Sequence, residues 1–90
     1  ERELRIVRTR LPKISAQLAD QVVMAVAKLR AMELKKGPSI SETLDWAQAL
    51  VVLNADTLSA ELVSSTLNLV LKHEADITKA KSQLPTLLPQ

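Results

Sequence analysis

Two groups of carboxyl-bearing residues are the first candidates for chemistry in this sequence. Glu42 and Asp45 are three residues apart, so a helix would place them on adjacent turns, where paired carboxylates can do acid–base work. His73 lies beside Glu74 and near Asp76, a combination that could bind a metal ion. Carboxylates at the start of a helix usually complement its dipole, however, and nothing orients the histidine group. We therefore predict no catalytic site and no metal site, with His73 as a helix-end cation or a surface group.

The rest of the inventory excludes several classes of site. The chain has one glycine, one histidine and no cysteine. A single glycine excludes a glycine-rich phosphate loop and a dinucleotide fingerprint. The missing cysteines exclude disulfides and the usual zinc arrangements, and they suit a reducing compartment. No apolar run approaches the roughly 18 residues of a membrane span, so we predict a cytoplasmic protein with no membrane contact.

Breaks between helices are concentrated in residues 35–42. Gly37 and Pro38 form a strong helix stop, and the Ser39-x-x-Glu42 pattern of a capping box follows directly. We expect Gly37 to end one helix in a left-handed conformation and Ser39 to cap the next. A helix N-terminus prepared in this way can face a phosphate group, or it can simply make a tight turn between helices. The residues by themselves favour the ordinary turn, because caps are common there.

The composition predicts an all-α protein. Hydrophobic residues make up 47% of the 90 residues, whereas aromatic residues make up only 1%. A core of leucine, valine, isoleucine and alanine suits helices packed on helices, and a sheet protein of this size would need aromatic residues and turn glycines. The length is that of one domain. A first residue other than methionine suggests a piece cut from a longer protein.

Periodicity and caps predict four helices, near residues 1–9, 15–34, 39–54 and 59–74. Ser15 and Ser59 are placed to cap the second and fourth, with Leu58 and Val63 as a hydrophobic staple around the latter cap. Pro85 and Pro89 forbid a long regular helix and make residues 76–90 a loosely ordered tail, with room for one short turn of helix. The predicted core consists of the apolar residues on the inner faces: Leu18, Val22, Val26, Leu29, Leu44, Ala47, Leu50, Val51, Leu62, Leu69 and Val70, with Thr66 on the same face of the fourth helix and Trp46 at least partly buried.

The net charge of +2 is unevenly distributed. Residues 1–13 carry five basic and two acidic groups, and residues 14–71 carry four basic and six acidic groups. Arg2, Arg5 and Arg8 fall on one stripe of the first helix, which is either a solvated face or a contact with an anion or a neighbouring subunit. A general nucleic-acid binder would be expected to have a broader basic face with stacking aromatic residues, which argues against a nucleic-acid partner.

Three stretches of the sequence resemble the C-terminal helical lid of MoxR-family AAA+ ATPases, in the branch paired with von Willebrand factor A-type partners. They are ERELRIVRTRLP at the N-terminus, LADQVVMAVAKLRAMELKKGPSISETLDWAQAL from Leu18, and STLNLVLKHEADI from Ser65. The most specific element is ETLDWAxAL, from Glu42 to Leu50, supported by IVRxR from Ile6 to Arg10. The resemblance covers nearly all of the chain from its start to Ile77.

The resemblance implies a lid of about four helices, residues 1–75 with a tail at 76–90, that closes over ATP and Mg bound by a separate ATPase core domain. It also implies ring subunits as neighbours and a chaperone-like role in maturation. The third lid helix in this family begins with a sensor 2 element, which places a weak nucleotide-binding site at Ser39, Ser41 and Glu42. Ser41 stands where the family has an arginine, so a direct arginine contact is not expected. The alternative function is a stand-alone helical module for protein or DNA interaction.

Overall fold

The structure, a computed structural model, describes residues 2–89, and every regular element in this range is helical. The helices are α1 (Arg2–Arg10), α2 (Ala16–Ala31), α3 (Ile40–Val52), α4 (Ala60–Thr66), α5 (Glu74–Ser82) and α6 (Leu84–Leu87). A 3-10 turn, Leu67–Leu69, continues α4. The predicted all-α class is confirmed, but the described residues form six helices, two of them where a tail with at most one short helical turn was expected. No helix within residues 2–89 combines the length and the apolar character needed to cross a membrane.

Serine caps set the starts of the three middle helices as predicted. Each serine has extended backbone angles, and its hydroxyl accepts a hydrogen bond from the amide three residues later. The acceptor distances are 3.0 Å for Ser15, 3.2 Å for Ser39 and 3.2 Å for Ser59. Leu58 and Val63 are both buried around the α4 cap, which agrees with the predicted hydrophobic staple.

The predicted end of α2 is wrong. The helix ends at Ala31 rather than near Leu34, and Met32 leaves it in an extended conformation with ψ 155°. No glycine of the described residues has a positive φ, so Gly37 is not the left-handed stop. The segment from Met32 to Pro38 is instead irregular, with bends at Lys35 and Lys36, and its backbone hydrogen-bonds to side chains of α5 and α2.

The left-handed helix end belongs to α3, at Asn54. Its φ is 58°, and the two hydrogen bonds of a Schellman motif close the helix. The Ala55 amide donates to the Leu50 carbonyl at 3.0 Å, and the Asn54 amide donates to the Val51 carbonyl at 2.9 Å. Asparagine is among the few residues that adopt this conformation readily.

Asn54→Ala is therefore expected to destabilise the protein by about 1–2 kcal/mol, because a Cβ-bearing residue without a local hydrogen-bonding side chain is strained at this φ. Asn54→Gly should be neutral or slightly stabilising, since glycine adopts the conformation without strain. Urea denaturation of both variants measures the difference. Equal midpoints for the alanine and glycine variants would contradict the assignment of strain to this position.

The core forms around α2, whose buried face was predicted correctly. Its buried residues are Leu18, Ala19, Val22, Val23, Ala25, Val26 and Leu29. Val7 of α1 and Trp46, Ala47 and Leu50 of α3 are also fully buried. Leu44, Val51, Leu62 and Leu69 were placed in the core but are only partly buried.

The inner face of α4 is rotated relative to the prediction. The buried residues in this part of the chain are Val63, Thr66, Leu67, Val70 and Leu71. These residues are spaced by three and four positions, starting from Val63. The predicted residues have the same spacing but start from Leu62, so the apolar periodicity fits either face of the helix. Packing against α6 and α3 selects the observed one.

The C-terminal segment is an ordered part of the core, which corrects the prediction of a loosely docked tail at 76–90. Ala80 of α5 and Leu87 of α6 are buried, and α6 packs against α2 and α4. Pro85 lies in the first turn of α6, where a proline removes no helical hydrogen bond. The radius of gyration of 11.8 Å matches the value of about 12 Å for a compact 90-residue chain, so residues 76–89 belong to the same globule.

Candidate functional site at the start of α3

The first turn of α3 is closed by a reciprocal capping box, as the sequence predicted. The Ser39 hydroxyl accepts from the Glu42 amide at 3.2 Å, and the Ser39 amide donates to Glu42 Oε1 at 3.0 Å. The Thr43 hydroxyl also donates to the Ser39 carbonyl at 3.0 Å. The backbone at this helix start is therefore held in one conformation by three local hydrogen bonds.

The three predicted site residues divide into two roles. Ser39 and Ser41 are exposed and accessible to a ligand. Glu42 is only 7% exposed, and its carboxylate is already committed to the capping box. Glu42 therefore stabilises the helix start rather than offering a free carboxylate, and it does not combine with exposed Asp45 into an acid–base pair.

Two lysines lie close to the buried Glu42 carboxylate. Lys36 Nζ is 3.6 Å and Lys72 Nζ is 3.9 Å from Glu42 Oε2, and both side chains are about half exposed. The hydrogen bond from the Ser39 amide is the main reason why the pKa of Glu42 is lowered, and it outweighs the opposing effect of burial. The lysine charges lower this pKa further. Lys72 was missed in the sequence because it follows α4 and reaches the site only through the fold.

The irregular segment that precedes α3 is held by Asp76 of α5. This side chain is 3% exposed, and its two oxygens accept hydrogen bonds from the amides of Lys35 and Lys36 at 2.8 and 3.1 Å. Burial opposes ionisation of Asp76, but the two amide hydrogen bonds and the nearby positive charges prevail, and its pKa is lowered. On the same helix, Lys79 Nζ donates to the Glu33 carbonyl at 2.8 Å. Residues of α5, which the sequence placed in a tail, thus position the segment that leads into the start of α3.

Arg30 of α2 holds the other end of this segment. Its Nε donates to the Pro38 carbonyl at 2.9 Å, immediately before the α3 cap. Its guanidinium forms a bidentate ion pair with Glu3 of α1, with Nη2 2.9 Å from Oε2. The hydrogen bond from Arg30 is the main reason why the pKa of Glu3 is lowered, against the opposing effect of burial. The start of α3 is therefore positioned jointly by α1, α2 and α5.

Trp46 anchors α3 in the core, as expected. The indole is fully buried, and its Nε1 donates to the Thr66 hydroxyl at 2.8 Å. That hydroxyl donates in turn to the Leu62 carbonyl at 2.7 Å. The orientation of α3 is thereby coupled to the end of α4.

The histidine group does not form a metal site. His73 is exposed and immediately precedes α5, so it is a surface group but not the C-terminal cation of α4. Asp76 is turned to the backbone of Lys35 and Lys36. Within residues 2–89, no group of three or more histidine, cysteine or acidic side chains is arranged to hold a metal ion.

The three carboxyls with lowered pKa predict loss of stability in acid. Ordinary pKa values are 3.8 for Asp76 and 4.5 for Glu3 and Glu42, and each value is lower in the folded chain. At low pH the unfolded chain therefore binds more protons than the folded chain, so the stabilisation is complete above these values and is lost as the pH falls through the folded values. The urea midpoint should be steady near neutral pH and should fall below pH 4.5.

Asp76→Asn tests the largest structural role in this group. We expect a lower urea midpoint at pH 7, because an amide cannot accept both backbone hydrogen bonds as a carboxylate does. As the pH falls, the urea midpoint of this variant should also decrease less than that of the wild type. Asp45→Asn, which removes an exposed carboxylate of α3, is the control and should keep the wild-type decline. An Asp76→Asn curve parallel to the wild type would show that Asp76 does not contribute to acid sensitivity.

Comparisons of the chain with protein families, with curated proteins and with solved structures gave no significant match. The structure itself defines an all-helical globule, in which the capped start of α3 lies beside two lysines. Any more specific function is an inference from these residues and from the resemblance of the three sequence stretches.

Proposed function

We propose that the chain is the lid of a MoxR-like AAA+ ATPase, closing over ATP and Mg held by a core domain outside this chain. In this proposal the parent protein forms rings in the cytoplasm and acts with a von Willebrand factor A-type protein in a chaperone-like maturation step. Motion of the lid would couple the state of the nucleotide to contacts between subunits.

The observation that carries the proposal is the exposed first turn of α3. Ser39 and Ser41 are exposed. The capping box uses the amides of Ser39 and Glu42, so the amides of Ile40 and Ser41 are those of this turn that have no carbonyl partner within the helix. Lys36 and Lys72 add positive charge beside this turn. A helix start with free amides and nearby cations suits an anionic group such as a phosphate.

The same site is incomplete for tight nucleotide binding. Glu42 is occupied by the cap, Ser41 is neutral, and the chain contains no glycine-rich loop to surround the phosphates. Open helix ends in water bind anions weakly without a second surface. The 90-residue chain by itself is expected to hydrolyse no ATP and to bind it weakly at most.

Ser41→Arg in the parent protein tests whether position 41 faces the nucleotide. A charge-assisted contact with the terminal phosphate is worth about 1.5–3 kcal/mol, so ATP affinity should increase by about ten- to hundredfold. Ser65→Arg, an exposed serine of α4, makes the same change of charge away from the site and should leave the affinity unchanged. Titration calorimetry with ATP and Mg measures both. Equal affinities for wild type and Ser41→Arg would reduce the α3 start to an ordinary helix cap.

The sequence encoded upstream of Glu1 in the source protein tests the whole proposal. A G-x-x-x-x-G-K phosphate loop in that region would support an ATPase core joined to this lid. A native start near Glu1 would contradict it and would favour the alternative, a stand-alone helical interaction module. The exposed arginines of α1 are the observation that supports this alternative.

A further inference from the structure

Positive charge without an internal partner is concentrated along α1 and the turn that follows it. Arg2, Arg5, Arg8, Arg10 and Lys13 are all exposed. The ion pairs found within residues 2–89 use Arg30, Lys36 and Lys72 instead. The acidic residue of α1 that could offset the cluster, Glu3, is turned toward Arg30. Among residues 2–89, none of these ion pairs uses a cation of this basic surface, and Asp56 is the acidic residue that lines a groove together with Lys13.

Two grooves flank Pro12 on this surface, and both combine basic with apolar side chains. The first groove is lined by Leu4, Arg5, Arg8, Thr9, Pro12 and Ile14. The second is lined by Arg10, Leu11, Pro12, Lys13, Gln48 and Val51. We call the two together the Pro12 surface.

The Pro12 surface continues into Val52, the last residue of α3, and Leu53 follows it. Val52, which follows Val51, is 68% exposed, and Leu53 is 57% exposed. Val52 also lines a further groove with Lys13 and Ile14. Contiguous exposed apolar area is typical of contact surfaces, and Val52 adds to the apolar part of this one.

We propose that the Pro12 surface binds an acidic, amphipathic segment of a partner protein. The unpaired arginines require carboxylates, which guanidinium groups bind in bidentate geometry. The apolar parts of both grooves require apolar side chains in the same ligand. A segment with acidic residues on one face and apolar residues on the other supplies both, and this inference does not depend on the nucleotide role proposed above.

Nucleic acid fits the Pro12 surface less well. Phosphates would pair with the arginines, but single strands bind through stacking on aromatic side chains, and the one aromatic residue, Trp46, is fully buried. The exposed valine and leucine at the end of α3 would have no partner on a phosphate backbone. A protein ligand accounts for both the charge and the apolar area.

The test is a titration of the 90-residue chain, observed by amide NMR, with three synthetic probes. The first is a helical peptide with glutamates on one face and leucines on the other. In the second peptide the leucines are replaced by serines, and the third probe is a short DNA duplex. We expect the first peptide alone to saturate, with shifts confined to α1, residues 11–14 and the C-terminal half of α3. Binding should weaken with salt, because exposed charges are screened over about 10 Å at 0.1 M.

Charge reversal locates the site. Arg8→Glu/Arg10→Glu places one reversed charge in each groove. It should lower the affinity for the first peptide by about tenfold or more, the equivalent of one lost interfacial charge contact. Lys28→Glu/Lys81→Glu is the matched control, because it also reverses two cations in last turns of helices and changes the net charge equally. Arg8→Gln/Arg10→Gln provides a milder variant if the double reversal disturbs folding, which thermal melts report.

The proposal is overturned by any of four results. Equal weakening by the control would mean that only net charge matters. Equal binding of the serine peptide would show that the apolar grooves are not used. Tighter binding of the duplex than of the leucine peptide would make the surface a nucleic-acid site, and failure of every probe to bind would remove the surface from consideration as an acidic docking site.

Discussion

Trp46→Ala is expected to lower the free energy of unfolding by roughly 3–5 kcal/mol. The indole is the largest fully buried side chain, so its removal leaves the largest cavity. It also removes the hydrogen bond to Thr66, which couples α3 to the end of α4. Since small domains have total stabilities of about 5–15 kcal/mol, the variant should be close to unfolding at room temperature.

Urea denaturation followed by far-UV circular dichroism measures this loss, because the variant has no tryptophan fluorescence. Thr66→Val separates the two causes, since it keeps the indole but leaves its buried N–H without an acceptor, at a cost of about 1–3 kcal/mol. Trp46→Phe retains much of the ring volume and should fall between these variants. Superimposable curves for Trp46→Ala and wild type would contradict the anchoring role.

Leu67→Ala is expected to cost roughly 2–5 kcal/mol, because Leu67 is fully buried in the turn that continues α4. Leu62→Ala makes the same chemical change five residues earlier, on a side chain that is only partly buried. It should cost less than about 2 kcal/mol, since less apolar area leaves water there on folding.

The ratio of these two losses tests which face of α4 points inward. Both variants remove the same atoms from the same short element, so each is the control for the other. Thermal melts or urea curves of the pair are sufficient. A larger loss for Leu62→Ala would restore the face predicted from the sequence, with Leu62 and Leu69 in the core, and would contradict the packing described here.

The sequence predicted those features that depend on neighbours within about one helical turn. Ser15, Ser39 and Ser59 each cap through an amide three residues away, and Glu42 reaches back over the same distance. The buried face of α2 was equally predictable, because a long helix with a regular apolar stripe has one consistent inner side. The capped helix start at Ser39 was predictable because the capping box involves residues only three positions apart. Two of the three residues assigned to the candidate site, Ser39 and Ser41, are exposed there.

Tertiary structure alone decided where α2 ends, which face α4 buries and what residues 76–89 do. Asp76 binds the Lys35 amide across 41 positions of the chain, and Lys79 binds the Glu33 carbonyl across 46. Lys72 likewise reaches Glu42 only because α4 folds back onto α3. A periodicity or a cap reports interactions within a few residues, whereas these contacts depend on the relative placement of whole helices. The local pattern thus specified where α2, α3 and α4 begin, and long-range hydrogen bonds and packing specified where α2 ends and what surrounds the start of α3.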